Sequence, residues 1–268
     1  MTNIPYNRVW LRDTASLLAS RNPNLSRPYY LHGFDISAAQ FQSFPTEKNT
    51  KIHLSVQDCL QPFPAEHHGR YDVVHLRLLI GALRASEYEA AVKNVYDILS
   101  KPTSNQKFSA FEKVIANLTA EEPGGYLQWD EASMAAFSTD EYPQPPLITE
   151  IKRIIGHVID TRNLSHNPPE LIEHEAKRAG FVRLSRELYT TRSRPHLADP
   201  ARAWLTHLVR TLIPLSMIKS GEVSEQKIAK ARTEALMAEF EKHCVQALPL
   251  VNLQVIIGMK PKVVQSVL

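Results

Sequence analysis

Tyr71-Asp72-Val73-Val74-His75-Leu76-Arg77 is a short apolar run that closes on an imidazole and a guanidinium. Tyr71, Val73, Val74 and Leu76 make it apolar, and it is too short for an ordinary helix. It therefore reads as a buried strand over Tyr71 to Leu76, with His75-Arg77 at its end. Downstream, Ser86 to Ser100 has the spacing of a helix: Ser86 and Glu89 stand as a capping-box pair, and Tyr88, Ala91, Val92, Val95 and Leu99 recur on one face. Upstream lie two more short strands, Tyr29 to Ile36 running into Asp35, and Ile52 to Val56 followed at once by Gln57-Asp58. A helix over Val9 to Ala19 precedes both.

The alternation continues toward the C-terminus. Pro123-Gly124-Gly125 predicts a turn and Tyr126 to Trp129 a strand ending at Asp130-Glu131. Ile151, Ile154, Ile155, Val158 and Ile159 mark one helix. Asn167, Pro168 and Glu170 open another that Gly180 closes. Phe181 to Tyr189 reads as a strand, Ala201 to Leu215 and Glu222 to Cys244 as helices, and Val251 to Ile257 as a last strand. Strands separated by helices predict an α/β protein with a mostly parallel sheet covered on both faces. Residues 101–122 break the pattern with the polar Lys101-Pro102-Thr103-Ser104-Asn105-Gln106-Lys107, although Phe108 to Leu118 could form a weak amphipathic helix.

Composition narrows the function. The 268 residues are 43% hydrophobic and 22% charged, and 31 basic residues against 28 acidic ones leave a formal charge of +3. That near balance argues against a dedicated nucleic-acid binder. No apolar run reaches the roughly 20 residues of a membrane span. Two cysteines, Cys59 and Cys244, are too few for a disulfide scaffold and fit a reducing, cytoplasmic compartment. The nine glycines form neither G-x-G-x-x-G nor G-x-x-x-x-G-K, which disfavours an NAD-dependent oxidoreductase or a P-loop ATPase.

Ligands of an open parallel sheet bind beyond the carboxyl ends of its strands. Asp35, Asp58, His75, Arg77, Asp130 and Glu131 all stand at such ends. Carboxylates there can accept from ribose hydroxyls or a base amino group, or can simply cap the following turn. His67-His68 have no third ligand at metal spacing and read as an exposed loop. Cys59 has no evident histidine partner, and neither Ser37 nor Ser133 sits in a G-x-S-x-G elbow. No metal site is expected.

Three segments together carry a resemblance: Gly33-Phe34-Asp35-Ile36-Ser37, then Gln57-Asp58-Cys59-Leu60-Gln61-Pro62-Phe63-Pro64, then Tyr71 through Leu79. Pro123-Gly124-Gly125-Tyr126-Leu127-Gln128-Trp129-Asp130-Glu131 extends it. In order and phrasing they resemble the class I S-adenosylmethionine-dependent methyltransferases of fungal secondary metabolism, a group that includes tailoring enzymes and the velvet-complex regulator type. The resemblance spans about residues 8–100 and 123–260. It implies a class I methyltransferase-like three-layer sandwich in one domain over residues 1–268, with S-adenosylmethionine as cofactor and a small molecule as methyl acceptor. It further implies that Asp35 holds the ribose hydroxyls and Asp58 the adenine amino group. His75 would be the catalytic base, and Arg77, Trp129, Asp130 and Glu131 would line the substrate region, with His75 to Arg77 and Trp129 to Glu131 following their strands. The helical segment 190–247 would shape the acceptor pocket.

Two departures accompany the match. Family members have a glycine-rich loop after a first, central strand, and no glycine precedes Gly33 here. The expected sheet therefore has its first strand missing or altered. Residues 101–122 are an insertion, to be explained by a surface loop or by a retained intron or wrong gene boundary. A second reading is a non-catalytic methyltransferase-fold protein that binds a ligand or a protein partner.

Overall fold

The computed structural model describes residues 6–21, 28–41, 50–100, 124–133, 143–191, 195–247 and 251–261. The chain forms two compact units, residues 1–65 and 66–268. In the first, α1 (Tyr6–Arg21) packs across two strands, β1 (Tyr29–Asp35) and β2 (Thr50–Val56). These strands run parallel in register, Tyr29 opposite Thr50 through Asp35 opposite Val56. Both carboxyl ends therefore lie on the same side of this small sheet.

The second unit contains β3 (Val73–Arg77), α2 (Tyr88–Ile98), β4 (Tyr126–Ala132), α3 (Pro146–Thr161), α4 (Pro168–Ala179), β5 (Val182–Thr190), α5 (Ala198–Lys219), α6 (Gln226–Gln246) and β6 (Asn252–Met259). Its sheet has the order β3-β4-β6-β5. β3 and β4 are parallel, and β6 runs antiparallel to both β4 and β5. Three of the four strands thus share one direction, in agreement with the mostly parallel α/β sheet expected from sequence. Among the described residues, no strand pairs with the second edge of β1 or of β3.

Strand alternation sorts β4 into two faces. Leu127, Trp129 and Glu131 point one way and are fully buried. This face packs against helices: the Tyr88 ring of α2 lies 5.9 Å from the Trp129 ring, and α4 contacts β4, β5, β6 and α2. A separate core joins α3, α5 and α6 through Ile148, Ile151, Ile155, Val209, Met237 and Phe240. The α5 helix continues to Lys219 through Pro214, beyond the Leu215 end expected from sequence. An interior proline removes one helix hydrogen bond, but Leu205, Val209, Ile213 and Met217 recur every four residues and are all buried, so packing carries the helix past it.

Other boundaries also shift. Ser86 does not cap α2: a 3-10 turn over Ala85–Glu87 comes first, and the Glu87 carboxylate accepts the Arg84 N–H at 2.7 Å. Gly180 closes α4 in the left-handed conformation, φ 95°, as its position predicts. The Phe108 to Leu118 helix lies outside the described residues.

The end of α2 is held by a cluster of hydrogen bonds. Gly125 N–H donates to Ser100 O (3.1 Å), Ser100 N–H to Tyr71 O (2.8 Å) and Tyr126 N–H to Asp72 O (2.8 Å). The residues flanking 101–124 are thus hydrogen-bonded to each other. A Cβ on Gly125 would lie 2.7 Å from Tyr71 O and 3.0 Å from Ser100 N, so the second glycine of the Pro-Gly-Gly turn is required by backbone approach. The buried Lys260, just past β6, donates from Nζ to Tyr96 O (2.6 Å) and Leu99 O (3.0 Å) and sits 4.4 Å from the Tyr96 ring centroid. A cation at a helix C-terminus meets the negative end of the helix dipole. Lys260→Met leaves both carbonyls without that donor, so urea unfolding is expected to show a loss of about 2 kcal/mol; an unchanged midpoint would remove Lys260 from the junction.

Candidate functional site

In the first unit, Asp35 ends β1 and Asp58 lies two residues past β2. Each carboxylate shapes its own turn. Asp35 Oδ1 accepts the Ser37 N–H and Asp58 Oδ1 accepts the Leu60 N–H, both at 2.9 Å, as in Asx turns. The two turns are tied together, because Gln57 N–H donates to Asp35 O (2.9 Å) and the Gln57 side-chain amide to Asp58 O (3.0 Å) and Gln61 O (3.2 Å). Among the described residues, the second oxygen of each carboxylate has no hydrogen-bond partner. Capping therefore leaves one oxygen of each carboxylate able to accept another donor. This arrangement fits a group offering hydroxyl or amino donors, such as a nucleoside.

In the second unit, His75 and Arg77 of β3 stand opposite Gln128 and Asp130 of β4. All four share the sheet face turned away from Trp129 and Glu131. His75 Nε2 lies 3.1 Å from Asp130 Oδ2, with side-chain exposures of 7% and 17%, and Gln128 Nε2 donates to Asp130 Oδ1 at 3.1 Å. Burial works against the charge on Asp130. The hydrogen bonds from His75 and Gln128, helped by the charges of His75 and Arg77, outweigh it and hold the carboxyl below its usual range. Facing an ionised Asp130, His75 Nε2 is the donor of this contact.

The structure corrects two details of the sequence reading. β3 runs through Arg77 and β4 through Ala132, so Arg77, Asp130 and Glu131 lie within strands rather than just past them. The reason is pairing: β6 continues the ladder to Ala132 opposite Leu253, a partner too remote in sequence for a local pattern to show. Trp129 and Glu131, moreover, occupy the helix-covered face, opposite the one that carries His75 and Arg77. Gln128 was missed, because a glutamine inside an apolar run carries no signal until its cross-strand neighbour is known.

Glu131 is a fully buried ionisable group. Its Oε2 accepts the Leu79 N–H (2.8 Å) and the Trp129 indole N–H (3.3 Å), and its Oε1 accepts the Ala132 N–H (3.0 Å). Burial nevertheless dominates these bonds and that of Ile80, and pushes the carboxyl from 4.5 up to about 7. Among the described residues, no group of three or more His, Cys, Asp or Glu side chains could hold a metal ion, and no helix is long and apolar enough to cross a membrane.

No family model matches the chain. It is 24% identical to the curated methyltransferase grgD of Penicillium sp over 236 residues, 87% of this chain and 73% of that protein. It is 22% identical to the N-methyltransferase gliN of Aspergillus fumigatus over 176 residues, 66% of this chain and 51% of that one. The chain thus matches about half the length of gliN. Among solved structures, loganic acid methyltransferase with SAH gives a TM-score of 0.48 at 8% identity, covering 92% of this chain and 78% of that one. Phosphoethanolamine N-methyltransferase 2 of Haemonchus contortus, in complex with S-adenosyl-L-methionine, gives 0.42 at 12%, covering 96% and 57%. The chain is thus similar, at low identity, to curated methyltransferases over most of its length. The two curated proteins it resembles are fungal methyltransferases.

The Glu131 carboxyl fixes the sign of one pH effect. Its folded value lies above its unfolded one, so between about pH 4.5 and 7 the folded state keeps a proton that the unfolded state has released. Stability from this group is therefore present at low pH and lost as pH rises through that window. Denaturant unfolding at pH 5 and pH 8 is expected to show Glu131→Gln losing up to about 3 kcal/mol less than the parent chain across that interval. Identical pH profiles would contradict the assignment.

Proposed function

We propose that this chain binds S-adenosylmethionine and catalyses methyl transfer to a small-molecule secondary metabolite in the cytoplasm. The observation that carries the reading is the pair Asp35 and Asp58 at the carboxyl ends of adjacent parallel strands, each with one oxygen committed to its turn. Asp35 accepts from the ribose hydroxyls and Asp58 from the adenine amino group. The names of the two curated relatives support the same chemistry. The cofactor supplies an electrophilic methyl group on a sulfonium. This chain's task is then to orient the acceptor and, where the acceptor must lose a proton, to receive it. His75 receives that proton, while Asp130, bonded to Nε2, orients the ring and stabilises the imidazolium. Arg77 and Asp130 border the acceptor, and the helices within 190–247 form its pocket. Trp129 and Glu131 support the substrate region from behind the sheet.

The second reading, a non-catalytic binding protein of the same fold, draws on a different observation. Among the described residues, β1-β2 and β3-β4-β6-β5 form two sheets rather than one continuous sheet. Such a protein would retain the nucleoside-accepting carboxylates but transfer no methyl group, and could act through a protein partner.

Calorimetric titration with S-adenosylmethionine tests the cofactor. Asp35→Ala removes a charge-assisted acceptor, and about a 10- to 100-fold weaker affinity is expected. Equal affinities would remove Asp35 from the site, and no binding by either protein would remove the cofactor. Binding without transfer of labelled methyl to any acceptor in a metabolite panel would select the non-catalytic reading.

A further inference from the structure

We propose that Glu131 is a positioning residue whose carboxylate holds the corner at Leu78–Ile80 and so fixes the end of β3, the strand that carries His75 and Arg77. The catalytic consequence rests on the methyl-transfer reading; the corner itself rests on geometry alone.

The first observation is backbone strain. Leu78 follows β3 at φ 53°, a left-handed conformation that brings the Cβ of an ordinary L-residue against its own backbone. A residue that is neither glycine nor asparagine persists there only when its surroundings over-determine it, and such residues gather at functional sites. The second observation is what over-determines it. Leu78 N–H donates to Asp130 O at 2.9 Å, and Leu79 N–H donates to Glu131 Oε2 at 2.8 Å. Two successive amides are thereby bound to two successive residues of β4, one through its backbone and one through its side chain. Beyond them, Ala82 N–H (2.8 Å) and Leu83 N–H (3.0 Å) both donate to Leu79 O, so the chain turns immediately after the corner.

Glu131 is itself rigidly aimed. Trp129 Nε1 and Ala132 N–H hold its two oxygens, and the side chain is fully buried on the helix-covered face. An apolar side chain would suit that face without the cost of burying a carboxylate. What an apolar side chain could not do is accept the Leu79 N–H. The carboxylate cannot reach an acceptor on the His75 face, so any effect on transfer must pass through the corner. The link is short: Arg77 precedes Leu78 directly, and Asp130, which anchors Leu78 through its carbonyl, also bonds His75 through its side chain.

Amide hydrogen exchange on the full chain, read with methyl-transfer kinetics, tests this. Glu131→Ala is expected to speed exchange at Leu79 and Ile80 at least tenfold while Leu127 and Ile256 keep their rates. It should also lower kcat at least tenfold with KM for S-adenosylmethionine unchanged. Glu131→Gln, whose carbonyl oxygen can still accept from Leu79 and Trp129, should restore most of both. If Glu131→Ala fails to fold, adding Leu78→Gly, which tolerates φ 53°, should recover folding, because the corner then needs no enforcement. Unchanged exchange at Leu79 and Ile80, uniform acceleration across the sheet, no rescue by Gln, or no recovery by Leu78→Gly would each overturn the proposal. A parent chain that transfers methyl to no acceptor while Glu131→Ala still loosens the corner locally would refute the methyl-transfer reading and leave the corner standing.

Discussion

β4 is bonded on both sides, to β3 in parallel and to β6 in antiparallel register. That double pairing is the constraint from which the larger unit follows. It places Leu127, Trp129 and Glu131 beneath α2 and α4, and it forces Gln128 and Asp130 onto the opposite face beside His75 and Arg77. A slip of one residue would exchange the two sets, burying two polar side chains and exposing the largest aromatic of the core. One register therefore sets both faces of this strand.

The two ends of β4 are secured by different chemistry. At its start, the backbone alone does the work: Gly125 approaches Tyr71 and Ser100 too closely for any Cβ, and Lys260 closes the same junction with a buried ammonium on the last carbonyls of α2. At its far end, a side chain does it. Glu131 holds the Leu79 amide beside the strained Leu78 corner. The first end fixes where β3 begins, through Tyr71 and Asp72, and the second fixes how it ends. His75 and Arg77 lie between two anchored points.

In the smaller unit, the Asp35 and Asp58 turns each use a carboxylate as a local cap. A carboxylate has two oxygens, and each turn consumes one. Their coupling through Gln57, which bonds both turns, makes the pair a single structural feature although 22 residues of sequence lie between them.

The strands and most helices were legible because short apolar runs, proline, glycine and four-residue spacing act locally. Asp35, Asp58 and His75 stood out for the same reason, each at the end of an apolar run. Local pattern could not reveal where β4 stops, since Ala132 is held by Leu253, or that α5 passes Pro214 on the strength of a buried face. Nor could it separate Asp130 from its neighbour Glu131: both are acidic and adjacent, and they differ only because alternation sends one toward His75 and the other beneath α2. The class of fold, the order of its motifs and the chemistry on offer were readable from local pattern. Tertiary structure alone decided which carboxylate is held ionised by His75, which is forced up by burial, and which amides the buried one must hold, because desolvation and hydrogen bonding depend on neighbours that only long-range strand pairing brings together.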